Sequence, residues 1–307
     1  MTLRHATVRQ LQIFREAAQA LSFATVARRL HLTPAAVSFQ IKQIEEASGF
    51  PLFERIGKKV VLTEAGRALN EYAVTILRAL DDADQYMASL RGIDAGTANI
   101  GLVSTAKYIA PELLARFQAD HPGITISLRE GNRRQVIEFL ERGEVDLAVM
   151  GQPPRDAGVE ATPFAPHPTV MIAPPSHPLA GRRYLGLRAL AKERFIVREE
   201  GSGTRALMDR YFAAAGFKPR IAMASTSNET IKQAVIAGMG IALLSRHTVG
   251  LELRMQLLAT LDVEGLPLMR QWFVVHREAM PLLPIHRQLK SFLIEEGETI
   301  IANANGA

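Results

Sequence analysis

Residues Ser22 to Gly49, SFATVARRLHLTPAAVSFQIKQIEEASG, constrain this chain more than any other segment, because they specify two short helices and the turn between them. Ser22 can cap the first helix, whose Val26, Ala27 and Leu30 share one face. Thr33 can cap the second, with Pro34 at its first position, where the missing N–H costs nothing. Val37, Ile41 and Ile44 recur at helical spacing and point at a core, which leaves Pro34, Ala35, Ser38, Phe39 and Lys42 on the outer face. His31 falls in the turn where many such units place a glycine, and His is among the few other residue types enriched at positive φ. Small Ala27 lets the helices cross closely. An ordinary αα-hairpin fits the same pattern, so the flanking sequence has to decide.

Directly after the second helix comes GFPLFERIGKKVVLTEAG, where Ile56 to Thr63 places Gly57 and a lysine pair ahead of the apolar run Val60-Val61-Leu62. That spacing predicts a small hairpin, or wing, with cations at its tip. Met1 to Ala65 hold nine Lys/Arg against five Asp/Glu, so most of the chain's formal net charge of +5 is concentrated there. A local excess of this kind is the footprint of a phosphate-binding face. Arg28 and Arg29, taken singly, read equally well as solvated helix surface.

The stretches LQIFREAAQALSFATVARRLHLTPAAVSFQIKQIE and GFPLFERIGKKVVLTEAG resemble the winged helix-turn-helix of LysR-type transcriptional regulators. The resemblance implies that Thr33, Pro34, Ala35, Ser38 and Lys42 face base edges or nearby phosphates, while Arg55, Lys58 and Lys59 grip the DNA backbone. Phe39 departs from the pattern, because many relatives carry Arg or Gln there. It is open to an apolar contact with a thymine methyl or to packing against the wing.

Thr63 then caps a predicted helix running to about Arg91. Leu69, Tyr72, Ile76, Ala79, Ala83, Tyr86 and Leu90 recur at steps of three and four, the spacing of a seam for a partner helix. Leu77, Leu80 and Met87 form a second apolar line that can touch the helix's own domain. A length of roughly 40 Å at 1.5 Å per residue is more than a small domain can cover, so this is read as a dimerisation helix.

Beyond a break at Gly92 to Gly96, strands alternate with helices. Strand candidates are Asn99 to Val103, Thr125 to Leu128, Val145 to Met150, Val170 to Ala173, Phe195 to Val197, Ile221 to Ala224, Ile241 to Leu244 and Gln271 to Val275. The alternation predicts an α/β domain with mostly parallel sheets, large enough for two subdomains around a cleft. The resemblance implies a periplasmic-binding-protein-like effector domain. The expected fold is therefore an N-terminal all-α winged helix-turn-helix (1–65), a linker helix and hinge (66–94), and an α/β two-subdomain effector domain (95–307). Within it, subdomain I covers 95–165 and 268–307, and subdomain II covers 166–267. The chain is expected to cross between them near Thr162 to Pro168 and Leu266 to Arg270.

Ligands of such domains sit where strands lead into helix N-termini with free N–H groups. Three loops qualify. Ser104-Thr105-Ala106-Lys107 follows the first strand and offers two hydroxyls and an ammonium. The loop Glu199 to Arg205 places Gly201 and Gly203 beside the donors Ser202, Thr204 and Arg205. Ser225 to Glu229 opens a helix, with Thr226 or Asn228 as the inward candidates.

GLVSTAKYIAPELLARFQADHPGI, REGNRRQVIEFLERGEVDLAVMG and EEGSGTR resemble the Calvin-cycle regulators called CbbR. That branch senses small phosphorylated or nucleotide metabolites, which Lys107, Arg133 or Arg134, and Arg205 would suit. The implied partners are double-stranded DNA with an interrupted palindrome, a small anionic metabolite and RNA polymerase, with the chain paired as a homodimer and assembled as a homotetramer. Without cysteine, thiol catalysis, disulfides and cysteine-type zinc sites are excluded. The eight His are scattered, and no metal or cofactor is expected. No signal peptide precedes the basic block and no apolar run approaches a membrane span, so a cytoplasmic location is expected. Two readings stand: a ligand-gated transcription factor, or a cytoplasmic α/β enzyme or solute-binding protein with a basic helical arm.

Overall fold

A computed structural model of the 307-residue chain describes residues 2–57, 59–90, 96–154, 158–280 and 282–304. Lys58, Arg91 and all but the last residue of the break expected at Gly92 to Gly96 lie outside the described residues. The chain divides into two compact units, Met1–Arg91 and Gly92–Ala307.

In the first unit, α1 (Val8–Ala20) begins with a reciprocal capping box between Thr7 and Gln10. Helices α2 (Phe23–Arg29) and α3 (Pro34–Ser48) start at Ser22 and Thr33, whose hydroxyls accept from Thr25 N and Ala36 N. His31 takes φ +53° in the turn between them, and Gly49 closes α3 at φ +77°. Val26, Ala27, Val37, Ile41 and Ile44 are buried with Phe14 in one core. Strands β1 (Phe53–Ile56) and β2 (Lys59–Leu62) pair antiparallel, Ile56 opposite Lys59, across the turn at Gly57. Edge-on contacts of Phe14 and Phe23 with Phe53 fasten this wing to the helices.

Helix α4 (Glu64–Leu90) starts under Thr63, whose Oγ1 accepts from Gly66 N at 3.0 Å and donates to Pro51 O at 2.7 Å. Gly66 is required there, because a Cβ would lie 2.0 Å from the Leu52 carbonyl oxygen. Leu69, Ala73 and Leu77 are buried in the domain core. Leu69 therefore belongs to the helix's inner face and not to the outer seam. Leu80 and Met87, grouped in sequence with Leu77, are exposed, as are Tyr72, Ile76 and Tyr86.

Among the described residues, the second unit holds three sheets in two subdomains. One has the order β4-β3-β5-β12-β6, built from β3 (Gly96–Val103), β4 (Ile124–Gly131), β5 (Leu147–Met150), β6 (Val159–Pro166) and β12 (Gln271–Arg277). Helices α5 (Ala110–Asp120), α6 (Arg133–Glu141) and α10 (Pro284–Ala304) pack on it around fully buried Trp272 and Phe117. The other subdomain centres on β7 (Thr169–Ala173), flanked by β10 (Ala242–Ser245) and β11 (Ala259–Leu261), and on the parallel pair β8 (Arg194–Arg198) and β9 (Arg220–Ser225). A bridge between Phe195 and Ile241 joins the two sets. Helices α7 (Gly203–Ala214), α8 (Asn228–Ile236) and short α9 (Gly250–Arg254) complete it. All five β7 residues are buried, Met171 and Ala173 facing one core cluster, Val170 and Ile172 the other.

The sheets are mixed, not mostly parallel. β12 returns antiparallel between β5 and β6, and β7 pairs antiparallel with both its neighbours. β6 and β11 had no counterpart among the sequence candidates. β6 carries Pro163 and Pro166, which an edge strand tolerates because one side needs no donors. The crossings are correspondingly tight: His167 N donates to Arg270 O at 2.8 Å, and Thr169 N to Leu268 O at 3.0 Å. Among the described residues, no helix is long and apolar enough to cross a membrane.

Candidate functional site

Each unit presents a surface suited to a different ligand. On α3, Thr33, Pro34, Ala35, Ser38 and Lys42 are all exposed, because Val37, Ile41 and Ile44 hold the opposite face in the core. Arg55 and Lys59 are exposed on the wing strands, and Lys58 lies outside the described residues. Glu45 Oε1 accepts from Leu52 N at 2.8 Å and Phe53 N at 3.3 Å, which sets the wing against α3. Phe39 is 57% exposed, so it does not pack against the wing. Lys42 lies 3.9 Å from Glu46, an exposed i,i+4 pair that holds the ammonium only weakly.

Between the subdomains of the second unit lies a small cleft. Val103, Ser104, Thr105, Asn132, Arg133, Met150, Gly151 and Gln152 line one side, and Arg198, Ser202, Gly203 and Thr204 the other, with His167 and Arg270 at the crossing. Among the described residues, three arginines and no carboxylate line it. Arg198 is paired from behind with Glu199, at 2.8 and 3.0 Å. Arg133 Nε donates to Gln152 O at 2.8 Å, and Arg270 Nη2 to Thr169 Oγ1 at 3.2 Å; neither meets a carboxylate among the described residues. Burial, then the charge of Arg210, lowers the pKa of both, that of Arg270 to about 10. Polar atoms are left without partners here: Arg270 Nε, Gln152 Oε1 and both His167 ring nitrogens. Buried polar groups are nearly always satisfied, so this cluster marks a place built around a missing partner. Cationic walls make that partner an anion.

Of the residues picked out in sequence, the cleft gathers Ser104, Thr105, Arg133, Ser202, Gly203 and Thr204. Ser104 donates through N and Oγ to Gly131 O, at 3.0 and 3.1 Å, and Ser202 Oγ caps α7 by accepting from Arg205 N. Lys107 is turned away, ion-paired with Glu130 at 3.5 Å and held over the Tyr108 ring. Arg205 lies along α7, bonded to Asp209 at 3.0 Å and to the Arg198 carbonyl. Arg134 does not line the cleft but lies by Gly201, whose φ of +86° makes the turn before α7; its neighbour Arg133 points inward instead. Thr226 is exposed. Asn228 is buried behind the wall, accepting from Arg198 Nη1 at 2.7 Å and donating to Ser104 O at 3.2 Å across the subdomains.

The residues that sequence reasoning missed are Asn132, Gln152, His167, Arg198 and Arg270, whereas Arg133 was one of the two adjacent arginines it had offered. Arg198 ends β8 and Gln152 comes just after β5, so both obey the strand-end rule and were within reach. His167 and Arg270 sit on the crossing segments, which carry no local signal.

Two family descriptions match the chain: the LysR substrate binding domain over residues 91–298, and the bacterial regulatory helix-turn-helix protein of the lysR family over residues 8–67. The RuBisCO operon transcriptional regulator of Allochromatium vinosum is 45% identical over 292 residues, covering 95% of this chain and 97% of that one. The HTH-type transcriptional regulator CbbR of Rhodospirillum rubrum is 48% identical over 293 residues, with the same coverage of 95% and 97%. Among solved structures, the regulatory domain of CcmR from Synechocystis PCC6803 in complex with 2-PG matches with TM-score 0.63 and 36% identity, over 65% of this chain and 96% of that one. Full-length CbnR complexed with its target DNA matches with TM-score 0.72 and 25% identity, over 94% and 98%.

Proposed function

This chain belongs to the LysR family of transcriptional regulators and to its CbbR-like branch, and from that premise we propose that its cleft binds a phosphorylated small-molecule effector that controls carbon-fixation genes. It is a DNA-binding regulator, which sets aside the enzyme reading of the sequence. The observation that carries the effector reading is the cleft itself: among the described residues it has three arginines, no carboxylate, and buried polar atoms at Arg270, Gln152 and His167 lacking partners. The 2-PG held by the related CcmR domain supports the chemical class, and the names of the relatives support the gene set.

In this proposal, Thr33, Pro34, Ala35, Ser38 and Lys42 meet base edges and phosphates, while Arg55, Lys58 and Lys59 hold the backbone. Two chains pair through α4 and two pairs form a tetramer on an interrupted palindrome in the cytoplasm, in reach of RNA polymerase. Effector binding shifts the balance between open and closed clefts, changing the spacing or bend imposed on the DNA.

Arg270→Gln tests the effector assignment. Losing a charge-assisted contact of about 1.5–3 kcal/mol weakens binding of 2-PG by roughly 10- to 100-fold. Operator affinity without 2-PG stays at the wild-type value in a gel-shift titration. A variant that still responds to 2-PG at wild-type concentrations places the effector elsewhere.

A further inference from the structure

His167 is 1% exposed, and neither ring nitrogen has a hydrogen-bond partner, although an imidazole always has one N–H to donate and a second nitrogen to satisfy. The ring is held firmly. It stacks on Trp272 at 3.7 Å between centroids and 9° between planes, and its backbone pairs with that of Arg270 in both directions. The floor beneath it is Gly151, where a Cβ would fall 2.4 Å from Nδ1 and 3.8 Å from the Arg270 guanidinium carbon. Only a glycine there lets the imidazole and the guanidinium converge on one spot, and that spot opens on the cleft.

We propose that His167 is the residue by which the cleft recognises a doubly charged phosphate group: the ring is neutral in the empty cleft, takes a proton from solvent as the anion enters, and donates a hydrogen bond to it. The inference rests on the anion-site reading of the cleft. The charged and titratable groups facing the ring are Arg270 on the returning segment and His247 beyond Trp272, with Arg133 and Arg198 on the cleft walls. Burial first, and then Arg270 and His247, hold the His167 pKa well below the usual value, so the empty site keeps it uncharged. His247 is neutral too, pushed by burial to about 4, and its Nδ1 accepts from Trp272 Nε1 at 3.1 Å. A neutral His167 would turn a lone pair or a single N–H toward the ligand. A phosphate dianion reverses the field, because opposite charge at close range favours the imidazolium, which donates from both nitrogens.

Proton uptake fixes the sign of the pH dependence. Between the two His167 pKa values the complex holds more protons than its separated parts, so affinity rises as pH falls below the raised pKa of the bound state, and the gain is lost as pH rises through it. Between about pH 7 and 8.5 the phosphomonoester, with a second pKa near 6, stays dianionic and does not mask the effect.

The experiment is calorimetric titration of the full-length protein with 2-PG at about pH 7.5, in two buffers of different ionisation enthalpy. The expected result is uptake of about one proton per cleft in the wild type. In His167→Gln, which cannot titrate, the uptake disappears and binding weakens by about tenfold or more. Binding that is lost in Arg270→Gln but brings no proton uptake in the wild type overturns this proposal and leaves the anion cleft standing. Uptake that survives in His167→Gln also overturns it, by assigning the proton to another group. Binding unchanged in Arg270→Gln overturns the cleft reading, and the inference with it. If His167→Gln folds poorly, His167→Asn takes its place in assigning the proton, and wild-type binding without proton uptake overturns the proposal whichever variant is used.

Discussion

Ser38 and Lys59 are both exposed in the DNA-binding unit, yet they are expected to inform a duplex in different ways. A short hydroxyl on the outer face of α3 can reach a base edge, where it distinguishes one sequence from another. A lysine on the wing is expected to meet phosphates, which every sequence shares. Ser38→Ala is therefore expected to cost about 1 kcal/mol on the operator and little on scrambled DNA. Lys59→Gln is expected to weaken both equally and to flatten the slope of log affinity against log salt by about 0.9. Fluorescence anisotropy on the two duplexes across a salt series separates these outcomes, and equal losses for Ser38→Ala on both would count against a base contact. At this scale the sequence was legible where roles are local. The caps at Ser22, Thr33 and Thr63 and the positive φ of His31 depend on chain neighbours only. Lys107 was not legible, because the acceptor that turns it away, Glu130, comes from the adjacent strand.

Helix α4 buries one apolar line and leaves other large apolar side chains exposed. Its inner line, Leu69, Ala73 and Leu77, is buried in the helix's own domain. Tyr72 remains 70% exposed, and Ile76 44%, on a helix about 40 Å long at 1.5 Å per residue. Exposed large apolar side chains repeated along one helix face favour a second helix. Replacing Ile76 with Cys in this cysteine-free chain gives a clean test: oxidation is expected to link two copies through that single thiol, visible on a non-reducing gel. Failure to link in the DNA-bound protein would remove α4 as the pairing element. Leu69, read from spacing as a member of the seam, is buried in the domain core instead, because spacing reports a stripe without saying which neighbour covers it.

At the scale of the effector unit, Asn228 joins what the cleft separates. It accepts from Arg198 in its own subdomain and donates to the Ser104 carbonyl in the other. Asn228→Ala leaves a buried guanidinium N–H and a carbonyl short of a partner, and a loss of about 2 kcal/mol in urea unfolding is expected. Affinity for 2-PG is expected to fall with it, because Arg198 and Ser104 both line the cleft; wild-type stability in the variant would show the bridge to be dispensable. Most of the architecture was legible from the chain. Helix caps, the periodicity of α3 and α4, the apolar strand runs and the charge gathered in the first 65 residues are local properties, and they determined a winged DNA-binding unit, a long helix and an α/β unit. Only the tertiary structure decided the antiparallel return of β12, the proline-bearing edge strand β6 and the chemistry of the cleft. The reason is physical. Thr169 and Arg270, 101 positions apart, are brought into hydrogen-bond contact by sheet topology, and that pairing, with the space Gly151 leaves, sets His167 beside Arg270. No periodicity or local propensity encodes such a meeting.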